Sequence, residues 1–317
     1  MGARETALNA LIACRRDGAW SNGVLKEYIL RDRLDGRDAA LAARLCYGVL
    51  QNRQKLDFYL KQLLTGKLNS LHPAVRDILH LGLYQILFLD KIPDSAAVNE
   101  AVDLAKRYCK KQKNAAPLVN GVLRNAVRSR DTLIPPADLP TKYSHPAGLE
   151  ALLKSYVGED RLENMLQANN AAPDTVIQVN TLRTTAAALL RRLENEGVEA
   201  QPHGWMENCL VLSSTGNLEG LESFQKGLYY VQDPAAKLSV LCAQIPQNAN
   251  VLDCCSAPGG KSFSMALLME NKGEVISCDI YDHKCELIKK SANRLGLDII
   301  KPMVQDATVY NKKLGEF

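Results

Sequence analysis

The sequence predicts a multidomain chain: an all-α N-terminal domain, a small α+β subdomain, then the opening of a Rossmann-like α/β domain. Three observations predict it. Up to about residue 130 the apolar residues recur at helical spacing. A segment with three prolines in seven residues, Ile134 to Pro140, then breaks the pattern. From Val251 the chain alternates strand, turn and helix, starting with Val251-Leu252-Asp253-Cys254-Cys255-Ser256-Ala257-Pro258-Gly259-Gly260-Lys261-Ser262.

In the first domain, Val75, Ile78, Leu79, Gly82, Leu83, Ile86 and Leu87 lie on one helical face, with Pro73 at a plausible first turn. Asp94 or Ser95 is expected to cap a helix with Ala97, Val98, Ala101, Val102 and Ala105 inward and Glu100, Asp103, Lys106, Arg107 and Lys110 outward. Val119, Val122, Leu123, Ala126 and Val127 form a further stripe. Five to seven helices are expected over residues 1–133, with 134–140 as a semi-rigid linker. Residues 141–232 mix types: strands at Val176–Val179 and Cys209–Leu212, and a helix from Thr184 to Glu196 stopped by Gly197. Residues 233–317 carry a helix with Leu238, Val240 and Leu241, then strands at 251–255, 275–279 and about 299–304 around helices at about 261–271 and 282–295. Pro302 confines the third strand to an edge or to its own start.

Composition narrows the function. Of 317 residues 46% are hydrophobic and 23% charged, as in ordinary globular proteins, and no apolar run is long enough to span a membrane. Arg4, Glu5, Arg15, Arg16 and Asp17 break any signal-peptide core, so a cytoplasmic location is expected. None of the nine cysteines forms a Cys-x-x-Cys pair or sits at zinc-ligand spacing with a histidine. No metal site is expected, and the thiols read as reduced and mostly packed. Residues 1–140 hold 22 basic against 14 acidic residues and residues 141–317 hold 17 against 21, so the net charge of +4 divides into +8 and −4. A basic front half suits a polyanionic partner or simply a solvated helix surface.

The loop after Asp253 discriminates among nucleotide motifs. A dinucleotide fingerprint needs Gly-x-Gly-x-x-Gly, and only Gly259-Gly260 occurs. Gly260-Lys261-Ser262 matches the end of a P-loop, but Cys255 stands where its first glycine belongs. What remains is a turn with glycines that admit a ligand to the backbone, at a helix N-terminus whose free N–H groups suit a carboxylate. Asp279 ends the second strand 26 residues after Asp253, where an acid accepts ribose hydroxyls; Asp306 follows 27 residues later and can accept from an adenine amino group. The competing role for each acid is merely to cap the next helix.

These residues resemble the RNA (cytosine-5)-methyltransferases. Asp253 to Ser262 is similar to their first motif, Tyr230-Val231-Gln232-Asp233-Pro234-Ala235-Ala236 to the segment before it, and Asp279 and Gln305-Asp306-Ala307 to the next two cofactor positions. The helical front, with Asn99-Glu100-Ala101-Val102-Asp103-Leu104-Ala105-Lys106 and Val119-Asn120-Gly121-Val122-Leu123-Arg124, resembles the NusB-like RNA-binding domain. The combination is that of members acting on 16S ribosomal RNA, although close relatives act on transfer RNA. The resemblance implies S-adenosyl-L-methionine as cofactor, held by Cys255, Ser256, Ala257, Pro258, Gly259, Gly260 and Lys261, with Asp279 at the ribose and Asp306 at the adenine. The family's cysteines lie in Asp-x-Pro-Cys and Thr-Cys motifs, and neither occurs in this sequence. The nucleophile is therefore expected beyond Phe317, with no catalytic residue assigned here. The chain reads as an N-terminal portion, inactive alone and monomeric when complete.

Cytosine carbon 5 is a poor nucleophile until a thiolate adds at carbon 6. Cys254 and Cys255, beside the cofactor, read as loop thiols and not as that group. The RNA surface is expected at Arg107, Lys110, Lys111, Lys113, Arg124, Arg128 and Arg130, giving phosphate contacts with little sequence readout. Two alternatives stay open: a non-catalytic RNA-binding protein with a NusB-like module, and an ATP-binding protein using Gly260-Lys261-Ser262.

Overall fold

A computed structural model describes residues 2–213 and 217–317, except for the side chain of Lys313. The chain divides into two compact units, 1–171 and 172–317.

The first unit is helical: α1 (Ala3–Asp17), α2 (Ser21–Arg31), α3 (Gly36–Gln51), α4 (Arg53–Leu63), α5 (Pro73–Phe88), α6 (Asp94–Tyr108), α7 (Ala115–Ser129), α8 (Leu139–Lys142), α9 (Ala147–Val157) and α10 (Glu159–Asn170). Helix α5 is its axis, burying every residue from Ala74 to Ile86 except Arg76. A helix covered on all sides must be apolar nearly all round, which explains why its stripe reads so broadly. Its buried polar groups are matched: Asp77 with Arg15 (2.8 Å), Gln85 with Arg4 (2.7 Å), and His80 with Asp57 (2.7 Å), which also pairs with Arg76. Pro73 takes the first helical position, as expected, and His72 accepts from the Ala74 N–H.

One local expectation is corrected here, and the Pro-rich segment is seen to be tied down. Neither Asp94 nor Ser95 caps α6: Pro93 precedes the helix, and the Asp94 carboxylate pairs with Arg130 instead. The Pro-rich segment is not where the compact units divide. The Gln62 carboxamide clamps Ile134 through its N–H (3.1 Å) and C=O (2.8 Å), Pro140 lies inside α8, and the division falls at Ala171. Proline stiffens a chain but does not loosen it when a neighbour takes its hydrogen bonds.

The second unit holds two sheets. Strands β1 (Thr175–Val179), β2 (Ala200–Pro202), β3 (Cys209–Leu212) and β4 (Tyr229–Val231) form an antiparallel sheet of order β2-β3-β1-β4. Helix α11 (Ala186–Asn195), capped by Thr185, buries Leu189 and Leu193 against Ile177, Val179, Leu210 and Tyr229. A short α12 (Glu222–Gln225) and α13 (Pro234–Cys242) follow. Strands β2 and β4 were not legible because three residues show no alternation. In α13 only Val240 of the three expected apolar residues is buried.

The parallel sheet comprises β5 (Asn250–Asp253), β6 (Glu274–Asp279) and β7 (Ile300–Val304), in the order β5-β6-β7, with helices α14 (Gly260–Leu268) and α15 (Asp282–Leu295) as crossovers. Pro302 sits in β7, an edge strand of this sheet, where its missing N–H is tolerated. Cys254 and Cys255 form a turn and do not continue β5. Arg294 of α15 ties the two sheets together, donating to the Phe224 (2.6 Å) and Tyr229 (3.1 Å) carbonyls with its guanidinium 3.7 Å from the Phe224 ring centre.

Candidate functional site

The loop from Cys254 to Gly259 leaves the C-terminal end of β5 and enters α14. Its shape is set by Ser256 and Gly259. The Ser256 N–H donates to the Cys278 carbonyl (2.8 Å), binding the turn to the end of β6, and the Gly259 N–H donates back to Ser256 (2.7 Å). Gly259 adopts φ +106°, a backbone state that favours glycine, and a Cβ there would lie 2.3 Å from Phe263 Cζ. The Ala257–Pro258 peptide is cis. No side chain caps α14, so its first N–H groups keep their orphan state at the loop.

Beneath the loop lies a hydroxyl relay that sequence reading missed. Ser262 Oγ, fully buried, donates to Asp253 Oδ2 (2.8 Å) and lies 2.7 Å from Ser256 Oγ and 2.9 Å from Ser277 Oγ. Three serines over 22 positions carry no local signal; only the β5–β6 register, which pairs Asp253 with Ser277, brings them together. The relay also argues against the P-loop reading. A P-loop hydroxyl must face a phosphate-bound metal, whereas Ser262 is consumed inside the fold. A second buried network joins Ser264 Oγ of α14 to Tyr230 Oη (2.8 Å) and Gln232 Oε1 (2.7 Å). It docks the loop helix on the end of β4.

The acids at the strand ends behave differently from one another. Asp253, half-buried, is committed to Ser262. Asp279 is buried, and its Oδ1 is 3.3 Å from the Tyr281 N–H and 3.6 Å from Lys284 Nζ. Asp306 uses Oδ1 to accept from Thr308 N–H (2.9 Å) and Oγ1 (2.7 Å), bonds that hold its carboxyl below the usual range. At Asp306 these bonds close a turn and use one oxygen; they cap no α-helix. The Gln305 N–H donates to the Asp279 carbonyl (3.0 Å), so the two acids stand at adjoining strand ends. Of the other loop residues, Ser256 is buried, Ala257 and Gly260 are half-buried, and Cys255, Pro258 and Lys261 are exposed. A cavity of about 180 Å³ opens beside this rim, walled by Leu252, Cys254, Cys278, Asp306 and Tyr310 among others.

The thiols are mostly packed, as expected, with Cys14 half-buried, and the exceptions include the pair in the loop. Cys46, Cys109, Cys209, Cys278 and Cys285 are buried, but Cys242, Cys254 and Cys255 are exposed. Turn backbone cannot bury successive side chains, which is why this pair emerges.

The basic residues do not form one cluster. Helices α6 and α7 run antiparallel, and the Arg130–Asp94 pair joins the end of α7 to the start of α6. Arg107, Lys110, Lys111 and Lys113 therefore lie at one end of the hairpin, and Arg124, Arg128 and Arg130 at the other. With 15 residues in each helix, the ends are about 20 Å apart. Arg107 is paired with Glu5 (3.1 Å). Arg124 and Arg128 line a shallow pocket with Ser95, Val98 and Asn99. Among the described residues no cluster of metal-ligating side chains occurs, and no helix is long and apolar enough to cross a membrane.

Fold and site together define a multidomain protein with a helical unit, an antiparallel α+β layer and the opening of a nucleotide-type α/β domain. Comparison with known proteins makes this specific. The NusB family model matches residues 1–128, the methyltransferase RsmF/B-like ferredoxin-like domain matches 145–219, and the 16S rRNA methyltransferase RsmB/F model matches 240–317. A probable ribosomal RNA small subunit methyltransferase B of Bacillus subtilis is 37% identical over 99% of this chain and 69% of its own length. Ribosomal RNA small subunit methyltransferase B of Pseudomonas putida is 31% identical over 94% of this chain and 67% of its own. The crystal structure of PH0851 shares the fold, with a TM-score of 0.69 at 23% identity, over 95% of this chain and 69% of that one. The chain belongs to the RsmB/F family of 16S rRNA methyltransferases, in the form that carries an N-terminal NusB domain.

Proposed function

We propose that this chain supplies the cofactor-binding and RNA-binding parts of a cytoplasmic enzyme that uses S-adenosyl-L-methionine to methylate carbon 5 of a cytosine in 16S ribosomal RNA. The observation that carries the reading is the uncapped start of α14, opened by Gly259 at φ +106°, beside the buried Asp279. The cradle fits the cofactor's polar ends. N–H groups at Gly260 and Lys261 would take its carboxylate, with Cys255 to Pro258 forming the wall. Asp279 would accept the ribose hydroxyls through the oxygen that Tyr281 and Lys284 leave open, and Asp306 the adenine amino group through Oδ2. When bound, the cofactor supplies an electrophilic methyl group on sulfonium. The chain's own residues orient it and exclude water on the α14 side.

The same reading gives RNA to the helical unit. Arg124, Arg128 and Arg130 at one end of the α6–α7 hairpin, and Arg107, Lys110, Lys111 and Lys113 at the other, would contact separate phosphates. The 317 residues hold no Pro-Cys or Thr-Cys dipeptide. Neither Cys254 nor Cys255 is offered as the thiol that adds to cytosine, since both stand on the cofactor's own loop.

Calorimetric titration with S-adenosylmethionine, repeated in excess ATP, tests the proposal. Binding that ATP does not displace is the expected result, with no methyl transfer by these 317 residues to 16S RNA fragments. Displacement by ATP, or RNA binding without any cofactor binding, overturns it; the latter leaves a non-catalytic RNA-binding module.

A further inference from the structure

Strands β5 and β6 bring two thiols side by side that the cofactor site does not use. Asp253 and Ser277 are register partners, and both reach Ser262 on α14. Their successors are Cys254, in the turn after β5, and Cys278, still within β6. Both line the same cavity of about 180 Å³. The Ser256 N–H donates to the Cys278 carbonyl (2.8 Å), so the turn that carries Cys254 is tied directly to Cys278 of β6. The two thiols differ in access: Cys254 is exposed and Cys278 is 1% exposed. Burial, reinforced by the neighbouring Cys254, pushes the Cys278 thiol up to about 11, so it stays neutral. Cys285 is a poorer partner, because its thiol on α15 is turned to the Asp279 carbonyl (3.7 Å).

We propose that Cys254 and Cys278 are an oxidisable thiol pair, with Cys254 the site of attack by hydroperoxides and Cys278 the resolving thiol. The Cys254 thiolate sulfur attacks the outer oxygen of the hydroperoxide. The O–O bond breaks, and the remaining oxygen leaves with a proton as water or an alcohol. The Cys278 sulfur then attacks the resulting sulfenic sulfur; the S–O bond breaks, the S–S bond forms, and hydroxide leaves with the Cys278 proton as water. Two thiols lose two electrons and two protons, and the hydroperoxide is reduced. The bond draws Cys254 toward β6 and with it the loop from Cys255 to Gly259. Oxidation therefore weakens cofactor binding at least tenfold, a consequence that rests on the cofactor reading above.

The test treats the full chain with hydrogen peroxide, blocks remaining thiols with iodoacetamide and digests with trypsin. Cleavage at lysines separates 238–261, which holds Cys254, from 273–284, whose one cysteine is Cys278, and from 285–289, which holds Cys285. The expected product joins 238–261 to 273–284, is reversed by dithiothreitol, survives Cys255→Ser and Cys242→Ser, and disappears in Cys254→Ser and Cys278→Ser. S-adenosylhomocysteine binding should fall on oxidation of the wild type and not of Cys254→Ser. Separate alkylation of both peptides after peroxide, or a link that persists in Cys254→Ser, overturns the pair. A link formed in a chain that binds no cofactor even when reduced upholds the pair and removes the cofactor reading.

Discussion

Replacing Gly259 by alanine tests whether the loop is held by its backbone or by its neighbours. Two costs are separable. Gly259 lies at φ +106°, and forcing a Cβ into so sparsely populated a region costs about 1–3 kcal/mol. The Cβ would also stand 2.3 Å from Phe263 Cζ and 2.8 Å from Cε1. Phe263 cannot simply swing away, because it is 4% exposed and edge-on to Tyr230 at 5.5 Å. Overpacking of that kind adds about 1–3 kcal/mol, for a total of about 2–6 kcal/mol. The chain has two compact units, so a single melting temperature would mix their unfolding. Hydrogen exchange of the α14 amides reads the local cost, and 2–6 kcal/mol corresponds to roughly 30-fold to 10⁴-fold faster exchange. Adding Phe263→Leu removes the Cε and Cζ atoms, so the double variant should recover about 1–3 kcal/mol relative to additivity. Exchange less than about tenfold faster in Gly259→Ala, or strict additivity with Phe263→Leu, refutes the reasoning.

Asp279→Asn should weaken S-adenosylmethionine about ten- to hundredfold in calorimetry, the loss of a charged hydrogen bond, while α14 exchange stays unchanged. Arg124→Glu with Arg128→Glu should lower RNA affinity and flatten its salt dependence by about 1.4 in log–log slope. Lys110→Glu with Lys111→Glu, at the far end of the hairpin, should act additively with it, whereas one continuous patch would make the two pairs strongly non-additive. Asp57 supplies a pH prediction. Burial alone would raise its carboxyl, but the bonds from His80 and Arg76 outweigh burial and hold it below the usual range. A depressed folded value makes its stabilisation full above about pH 4 and lost as pH falls through the folded value. Asp57→Asn should therefore lower the urea midpoint of the helical unit at pH 7 and shrink the midpoint's fall between pH 5 and 3.

What the sequence made legible depended on how local each signal was. In the α7 stripe Val119, Val122, Leu123 and Ala126 are buried and Val127 is half-buried, because a helical face is written within two turns. Asp279 and Asp306 were placed at strand ends by the spacing of strand and helix alone, and both stand there. The basic residues divide into two groups for the converse reason. Arg107 to Lys113 and Arg124 to Arg130 are close in sequence, and a helical hairpin sends such runs to opposite ends. Equally, nothing near Ser262 announces Ser256 and Ser277 as its partners, since only strand register supplies them.

Topology also supports the proposal that the loop, and not another turn, is the ligand end of the second unit. The order β5-β6-β7 has each crossover stepping the same way from β5, whose other edge is unpaired among the described residues. In open α/β sheets ligands bind outside the carboxyl ends of the strands. The turn after β5 stands at that edge, and the first helix of the sheet points its uncapped N-terminus there. Topology thus makes the position available, and Gly259, Ser256 and the Ser262 relay make it rigid. A site so supported should lose affinity when the relay is cut, even though Ser262 is too buried to touch a ligand. Ser262→Ala leaves Asp253 and two buried hydroxyls short of partners at about 1–3 kcal/mol each, so it should loosen the loop and weaken S-adenosylmethionine together. Weakened binding with undiminished α14 protection would instead make Ser262 a direct contact and contradict the buried relay.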